Sequence, residues 1–353
     1  MVKGWPGYFE LTQNVAGAEA HSSSAALSEY LANQQGDDDL DFHALRLTCL
    51  TKKYESPKPY QIAAFMKVRN ETLRLPYNLE YHRKLGVDHF FIVDNDSDDG
   101  TREWLVSQSD VTCFHSDLPL NLSDAGAKWF NALLNRFGIG RWCLTIDADE
   151  LFVFPECESI SLADYTTSLD RENADAVLSI MLDMYAKGPL SQIRYEAGRP
   201  FLEYCRFFDR NGYDFTPIDV EGATPKFMVR GGVRRRLFYS KEDNLAPVLN
   251  KLPLVKWKQQ FAFWSGNHYL KPEVRLASSW GALLHFKFFS EFGSRVGQEV
   301  RRGVMFDSAL EYRKYKKHLD RNPDLAPFGP NSMEYSRSRQ LVDLGIMREL
   351  AGR

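Results

Sequence analysis

Three carboxylates crowd into residues 147–150, which read Asp-Ala-Asp-Glu directly after an apolar run. Carboxylates this close repel one another unless a cation neutralises them. Their oxygens suit Mg²⁺ or Mn²⁺, which keep coordination positions open for phosphate oxygens. A solvated acidic turn that caps a helix has the same composition, so spacing alone leaves both interpretations open. The metal interpretation predicts that residues 147–150 lie at a site for a diphosphate.

A second polar cluster occupies residues 94–100. An EF-hand loop would need Gly at its sixth position and Glu at its twelfth, where this chain has Asp and Leu, so that interpretation fails. A strand end that turns into a helix fits better, with Asp98 or Asp99 near the helix N-terminus. Asp94 and Asn95 then either bind a base or ribose or make an ordinary turn, for which both residue types are common.

His285 and Lys287 form a third candidate group, after a short apolar run. Residues two apart on a strand project from the same face. A neutral imidazole can complete a carboxylate metal site, and an ammonium group can neutralise a phosphate. His268 is a second candidate for the same role. The alternative is a buried histidine with a satisfied partner and a lysine that extends to solvent.

Alternating strands and helices are expected to position these groups. Four buried strands are predicted, at residues 61–68, 89–93, 111–115 and 142–146. Three helices are predicted between them, at residues 72–85, 101–106 and 124–134. Continuous apolar strands separated by helices favour a mainly parallel sheet that is covered on both faces. Functional groups in such α/β sheets collect at the carboxyl ends of the strands.

The pattern weakens beyond residue 154. Further strands are predicted at residues 42–50, 176–181 and 282–289. We expect an N-terminal extension, partly disordered, at residues 1–58. One α/β domain follows at residues 59–298, and a charged helical tail at residues 299–353.

The composition narrows the class of protein. The chain has 353 residues, of which 44% are hydrophobic and 13% aromatic, enough for a sizeable core. A net charge of −3 argues against a nucleic-acid binder. Five cysteines without C-x-x-C spacing indicate neither a disulfide framework nor a zinc ribbon. With no signal-peptide pattern and no apolar run near the roughly 20 residues of a membrane helix, we expect a cytoplasmic protein, or one that works at the inner face of a membrane.

Several short segments resemble a known family. They are residues 66–71, 81–82, 85–89, 93–101 and 146–152. They look like the family 2 type bacterial glycosyltransferases with a GT-A fold, and more closely like the branch that is similar to the family 92 glycosyltransferases. The resemblance covers about residues 61–154 and extends weakly to residues 284–287. It implies a nucleotide-diphospho-sugar transferase fold with a mainly parallel central sheet flanked by helices.

The same resemblance implies an activity and roles for single residues. A sugar would pass from a nucleotide-sugar donor to a hydroxyl of a glycan or lipid-linked saccharide, with Mn²⁺ or Mg²⁺. The residues that would lie beside the nucleotide are Arg69, Asn70, Glu71, Asp94 and Asn95. Asp147 would contact the ribose or the hydrated metal, and Asp149 would coordinate the metal directly. His285 would be a distant metal or diphosphate ligand, and Lys287 would bind the donor.

The catalytic base is not fixed by the resemblance. Many inverting family 2 enzymes take it from a Glu-Asp dipeptide. The only such pair after the acidic run at residues 147–150 is Glu242-Asp243, in a polar segment typical of a solvated loop. The other candidate bases are Asp183, Asp219 and Glu221. Asp183 is favoured because it ends the strand that follows the acidic run.

Two other classes of protein stay open. A nucleotidyltransferase of similar fold would normally begin with a Gly-rich basic loop, and an aspartate-phosphoryl transferase usually has Thr or Val where this chain has Leu151. A non-catalytic protein that binds nucleotide sugars or glycans would have no need of the complete acidic run. Turnover that depends on Asp149 would separate these alternatives.

Overall fold

A large mixed sheet forms the centre of the protein, whose structure is a computed structural model that describes residues 42–51, 62–239, 246–303 and 306–350. The strands of this part of the chain are β1 (Thr48–Cys49), β2 (Ala63–Val68), β3 (His89–Asp94), β4 (Val111–His115), β5 (Trp142–Thr145), β6 (Glu150–Val153), β7 (Ala176–Asp183), β8 (Phe207–Asp209), β9 (Tyr213–Pro217), β10 (Phe227–Gly231), β11 (Asn250–Lys256), β12 (Ala262–Trp264), β13 (Tyr269–Lys271), β14 (Gly281–His285) and β15 (Ser332–Glu334).

Nine of these strands make the central sheet, in the order β1-β4-β3-β2-β5-β11-β7-β14-β6. Six of the nine, namely β2, β3, β4, β5, β7 and β14, point the same way, and β1, β6 and β11 are antiparallel to their neighbours. The predicted α/β fold class is therefore confirmed. The architecture is consistent with the GT-A fold that the resemblance implies.

Helices cover both faces of this sheet. They are α1 (Leu75–Leu85), α2 (Thr101–Val106), α3 (Ala127–Phe137), α4 (Leu162–Arg171), α5 (Phe201–Tyr204), α6 (Gly232–Phe238), α7 (Phe292–Arg302), α8 (Phe306–Arg321) and α9 (Ser338–Asp343). Neighbouring residues of β2 point to opposite faces. Phe65 packs in one cluster with Trp129 of α3, whereas Met66 packs in another with Leu79 of α1. Burial on both faces explains why the strands read as unbroken apolar runs.

β11 has the most unusual place in the sheet. It lies between β5 and β7 and is antiparallel to both, with Leu254 opposite Leu144 on one side and Val177 on the other. The strand therefore joins the parallel block that ends at β5 to the block that contains β7 and β14. It also carries Lys251 into the middle of the sheet.

Two predicted strands are shorter than expected. The prediction of a strand at residues 42–50 is wrong except for β1. Residues 42–44 form a helical turn, and Phe42 packs against the rings of Phe114 and Phe137 instead of extending along the sheet. The strand at residues 282–289 stops at the end of β14. One further pair follows in the same register, in which the N–H of Phe286 donates to the carbonyl of Asp149.

Helix starts also differ from the prediction. The helix expected from residue 72 begins at Leu75, because Pro76 is accommodated in a first turn, where its missing N–H costs nothing. The predicted cap at Asp124 is wrong. α3 begins after Gly126, and Asp124 instead accepts a hydrogen bond from the N–H of Ser265, at 2.9 Å.

The second half of the chain is less irregular than the sequence indicates. Three small antiparallel sheets pair β9 with β10, β12 with β13, and β8 with β15. The predicted tail at 299–353 contains two helices but also β15, and its predicted start falls inside α7. α6, α7 and α8 share a core of buried aromatic residues that includes Phe238, Phe292 and Tyr315. All five cysteines are unpaired. No helix among the described residues is long and apolar enough to cross a membrane.

Candidate functional site

A cavity of about 720 Å³ opens at the carboxyl ends of β2, β5, β7 and β14. Of the described residues on its wall, ten are cationic and seven are acidic. The cationic residues are Lys67, Arg69, Arg74, Arg230, Arg234, Lys251, Lys287, Arg295, Arg302 and Lys314. The acidic residues are Glu71, Asp124, Asp147, Asp149, Glu150, Glu299 and Glu311. An excess of positive charge in a chain whose net charge is −3 favours an anionic ligand here.

The acidic run forms the turn between β5 and β6 and lies in this cavity. Its backbone is held from two sides. The buried side-chain amide of Asn78 donates to the carbonyls of Ala148 and Glu150, at 3.0 and 2.7 Å. The N–H of Phe286 donates to the carbonyl of Asp149, at 2.7 Å. These bonds fix the directions in which the three carboxylates point.

Asp147 and Glu150 are neutralised by lysines rather than left to repel each other. Lys67 Nζ lies 2.5 Å from one oxygen of Asp147, and Lys251 Nζ lies 2.8 Å from the other. Lys251 also contacts buried Glu150, at 2.6 Å. Burial by itself would raise the pKa of Asp147, but the two ammonium groups outweigh it and hold the pKa well below its ordinary value. For Glu150 burial prevails over Lys251, and its pKa is raised.

Asp149 faces a buried chain of charged groups. Its Oδ2 lies 3.2 Å from His285 Nε2, and His285 Nδ1 lies 2.5 Å from Asp183 Oδ1. Arg234 Nε donates to the other oxygen of Asp183, at 2.8 Å. The parallel register of β7 and β14 produces this chain, because it sets His285 directly opposite Asp183. Burial alone would raise the pKa of Asp149, but His285, Arg74 and Lys287 together hold it well below its usual range.

The residues around Asp149 fit a divalent cation. Among the described residues no three His, Cys, Asp or Glu side chains converge as a complete metal site. Asp149 and His285 nevertheless offer an oxygen and a nitrogen on the cavity wall, and a metal-binding histidine commonly gives its other ring N–H to a carboxylate, here Asp183. Two protein ligands suit a cation that keeps positions for phosphate oxygens and water. Asp147 does not fit as a direct ligand, because a lysine occupies each of its oxygens.

Three of the five predicted nucleotide-binding residues reach the cavity wall: Arg69, Glu71 and Asn95. Asn70 and Asp94 are not part of that wall. Asn70 exchanges two hydrogen bonds with Asp98, and fully buried Asp94 accepts one from Arg102 at 2.8 Å. Both residues therefore shape the loop at residues 94–100, and Asp99 accepts from the first N–H of α2 as predicted.

A buried indole donor on the wall lacks a hydrogen-bond partner among the described residues. The indole N–H of Trp129 belongs to a fully buried side chain that lines the cavity. A buried donor without an acceptor is costly in a folded protein. The indole N–H of Trp129 is therefore a donor that an acceptor on a bound molecule would satisfy.

The predicted catalytic bases are not placed to act as bases. Asp183 is buried, and both of its oxygens are engaged by His285 and Arg234, which is why its pKa stays low despite burial. Asp219 and Glu221 are exposed and do not line the cavity. The dipeptide at residues 242–243 lies outside the described residues.

The two remaining predicted residues, His268 and Lys287, both line the cavity. His268 Nδ1 lies 2.8 Å from the carbonyl of Asn250, and burial with the nearby Lys251 lowers its pKa to about 4, so it is neutral. Lys287 lies beyond the end of β14, and its Nζ is 3.8 Å from Glu311.

Sequence reasoning missed the cations that hold the site together. They are Lys67, Arg74, Lys251 and Arg295. Only Lys67 lies inside a segment that carries the family resemblance, where its place before the end of β2 could have marked it. The others come from parts of the chain without a recognisable motif.

No protein-family model matches the chain, and no curated protein matches it. Among solved structures it is similar to TarS from S. aureus, with 15% identity and a TM-score of 0.27 over 39% of this chain. This chain spans 28% of the length of that TarS structure. A UTP-bound UGPase from Acinetobacter baumannii shares 9% identity over 74% of this chain and 83% of its own, with a TM-score of 0.28. HddC from Yersinia pseudotuberculosis shares 14% identity over 39% of this chain and 70% of its own, with a TM-score of 0.24. Similarity this distant says nothing about activity.

Proposed function

We propose that this protein is a glycosyltransferase of the GT-A type, which transfers a sugar from a nucleotide-sugar donor to a hydroxyl acceptor with the help of Mn²⁺ or Mg²⁺. The observation that supports this best is the arrangement of Asp149 and His285 on the cavity wall, with Asp183 behind the imidazole. A carboxylate and a histidine oriented by a second carboxylate suit a cation that grips a diphosphate.

The charge distribution of the cavity supports the same function. The pyrophosphate of a donor carries negative charge, and it would meet Lys287 and Arg295 beside the Asp149–His285 pair. Trp129 and Asn95 lie on the wall and would meet the nucleoside. A bound Mn²⁺ or Mg²⁺ would neutralise the charge that develops on the leaving diphosphate.

The protein's own groups keep this site preorganised. Lys67 and Lys251 neutralise Asp147, so that the acidic turn stays compact without ligand. Asp183 and Arg234 hold the imidazole of His285 in one orientation. Fixed charges that already face the leaving group lower the barrier, because they need no reorganisation during the reaction.

The test is a thermal-shift panel of UDP-, GDP-, CMP- and dTDP-sugars, with and without Mn²⁺. Wild type, Asp149→Asn and the control Asp343→Asn are compared, since Asp343 is an exposed residue of α9. A ligand that binds only the folded state raises Tm by mass action, equivalent to about 2.7 kcal/mol at a hundred times Kd. We expect one nucleotide family to give a Mn²⁺-dependent shift in wild type and in Asp343→Asn, and Asp149→Asn to lose it.

The products decide between the classes of protein. A glycosyltransferase releases the nucleoside diphosphate from the donor, whereas a nucleotidyltransferase given pyrophosphate would form the nucleoside triphosphate and a sugar phosphate. Binding without release of either nucleotide would indicate a non-catalytic binding protein. A donor shift that survives in Asp149→Asn would contradict the proposed site.

A further inference from the structure

We propose, on the basis of the proposed function, that Glu311 of α8 is the general base that takes the proton of the acceptor hydroxyl. α8 belongs to the predicted helical tail, which the sequence interpretation kept apart from the catalytic domain. In the structure the helix forms a wall of the cavity, to which it contributes Leu310, Glu311, Tyr312 and Lys314.

Most other carboxylates on the cavity wall have both oxygens paired with protein groups. Both oxygens of Asp147 face lysines, and those of Glu71 face Arg74 and Arg295. Glu299 accepts from Arg302 with both oxygens. A carboxylate already paired on both sides has no oxygen left for a substrate proton.

Glu150 is also occupied, by Lys251 and by the N–H of Asp147. Asp149 is the residue assigned to the cation. Asp124 accepts from the N–H of Ser265 with one oxygen, and it lies two residues before Gly126, which faces the side chain of Lys67. Asp124 and Glu311 remain among the described acidic residues of the wall, and of the two Glu311 is the one paired with Arg234, which also holds Asp183 behind His285.

Glu311 has one anchored oxygen and one that faces no described partner. Its Oε1 accepts from Tyr315 and from Arg234, the latter at 3.4 Å, and Lys287 Nζ lies 3.8 Å from the same oxygen. No side-chain hydrogen bond within the described residues is made to Oε2, and the side chain is 33% exposed. A base needs this combination, because the anchored oxygen fixes the carboxylate while the other reaches the substrate.

The position and charge of Glu311 also fit. Lys287, two residues after His285, lies 3.8 Å from Glu311, and Arg234 contacts both Glu311 and Asp183, so Glu311 is connected through Arg234 to the chain of charged groups that includes Asp149. Burial alone would raise the pKa of Glu311, but Lys287 and Arg234 outweigh it and lower the pKa, which keeps the carboxylate ionised.

The step balances as a single displacement. The acceptor oxygen forms a bond to the anomeric carbon while its proton moves to Glu311 Oε2. The bond between that carbon and the phosphate oxygen breaks, and its electron pair leaves with the nucleoside diphosphate. Attack from the side opposite the leaving group inverts the anomeric configuration.

The experiment compares two small nucleophiles with the donor that the thermal-shift panel identifies. Water must lose a proton to attack, whereas azide attacks as an anion and needs no base. We expect Glu311→Gln to lower water-driven release of nucleoside diphosphate on the order of 100-fold. The same variant should keep the azide-driven rate close to that of wild type and form a glycosyl azide of inverted configuration by NMR.

Two further variants serve as controls for Glu311→Gln. Asp320→Asn changes an exposed carboxylate of the same helix that pairs with Lys316, and it should leave both rates unchanged. Glu311→Asp keeps a carboxylate and should recover part of the water-driven rate. The donor-induced Tm shift of Glu311→Gln should equal that of wild type, because the variant keeps an acceptor oxygen for Tyr315.

Each other outcome overturns the proposal. Equal losses with water and azide would show that Glu311 only positions other groups. An unchanged rate with water, or a product of retained configuration, would exclude it as the base of an inverting reaction. Wild type that binds a donor but releases no diphosphate would remove the proposed transferase function, and with it the role of Glu311.

Discussion

Replacing Lys251 by Met tests whether a buried lysine holds the acidic turn together. Lys251 contacts Asp147 at 2.8 Å and Glu150 at 2.6 Å, and its side chain is 5% exposed. Lys256, on the same strand, makes a surface pair with Asp170 at an equal 2.8 Å, but both partners are more than a third exposed. Lys256→Met is therefore a control that removes the same chemical group from the same strand.

The expected loss of stability in Lys251→Met depends on which partners Asp147 and Glu150 retain. Breaking a buried ion pair by removing one partner costs about 3–5 kcal/mol, because the other charge stays buried without compensation. After Lys251→Met, Asp147 still has Lys67, and Glu150 still accepts from one backbone N–H. We therefore expect a loss near the lower end, about 3 kcal/mol. An exposed pair contributes only about 0–1 kcal/mol, which sets the expectation for Lys256→Met.

The assay is urea unfolding of wild type, both single variants, Glu150→Gln and the double variant Lys251→Met/Glu150→Gln, in buffer with EDTA. The free energy of unfolding is compared at matched m-values. Glu150→Gln removes the charge that Lys251→Met leaves uncompensated. The double variant should therefore be more stable than the sum of the single losses predicts, by about 1–2 kcal/mol within the range seen for residues in contact.

Similar losses for Lys251→Met and Lys256→Met would refute this reasoning. So would additive losses in the double-mutant cycle, because they would mean that Lys251 and Glu150 do not interact in the folded protein.

Three more predictions concern the framework of the site. Burial lowers the pKa of His82 to about 4, below the 6.5 of an exposed histidine, so the unfolded chain binds the proton first. The free energy of unfolding should fall by up to roughly 3 kcal/mol as the pH drops from about 6.5 to 4. In His82→Gln the urea midpoint should change less with pH over the same range. Gly281→Ala should lower stability by about 1–3 kcal/mol in the same assay, because its Cβ would lie 2.7 Å from Ser179 Oγ and 2.9 Å from the ring of Phe152. Ser179→Ala should raise Tm slightly or leave it unchanged, since that buried hydroxyl has no hydrogen-bond partner among the described residues.

Local sequence predicted the elements well where one segment determines one element. β2, β3, β4 and β5 are apolar runs that are buried on both faces, and burial of this kind is visible in the residues themselves. The acidic run was found for the same reason, because it directly follows such a strand. Its three carboxylates lie within four residues, so the cluster itself is visible in the sequence.

The partners of these groups could not be predicted, because they depend on the register between distant strands. Lys251 is 104 residues from Asp147, and it reaches the turn only because β11 enters the sheet in reverse. Asp183 looked like a free base at a strand end. The register that sets it opposite His285 makes it a support instead.

The central position of β11 constrains how the chain reaches its native state. The strand is made about a hundred residues after β5, yet it must lie between β5 and β7, so the sheet cannot close before β11 is synthesised. Until then β5 and β7 each lack a neighbour, and unpaired edges readily join other chains. Contacts between such distant residues also slow folding. A truncation just before residue 250 should therefore aggregate as it leaves the ribosome, while one that ends after β14 would already hold the completed sheet.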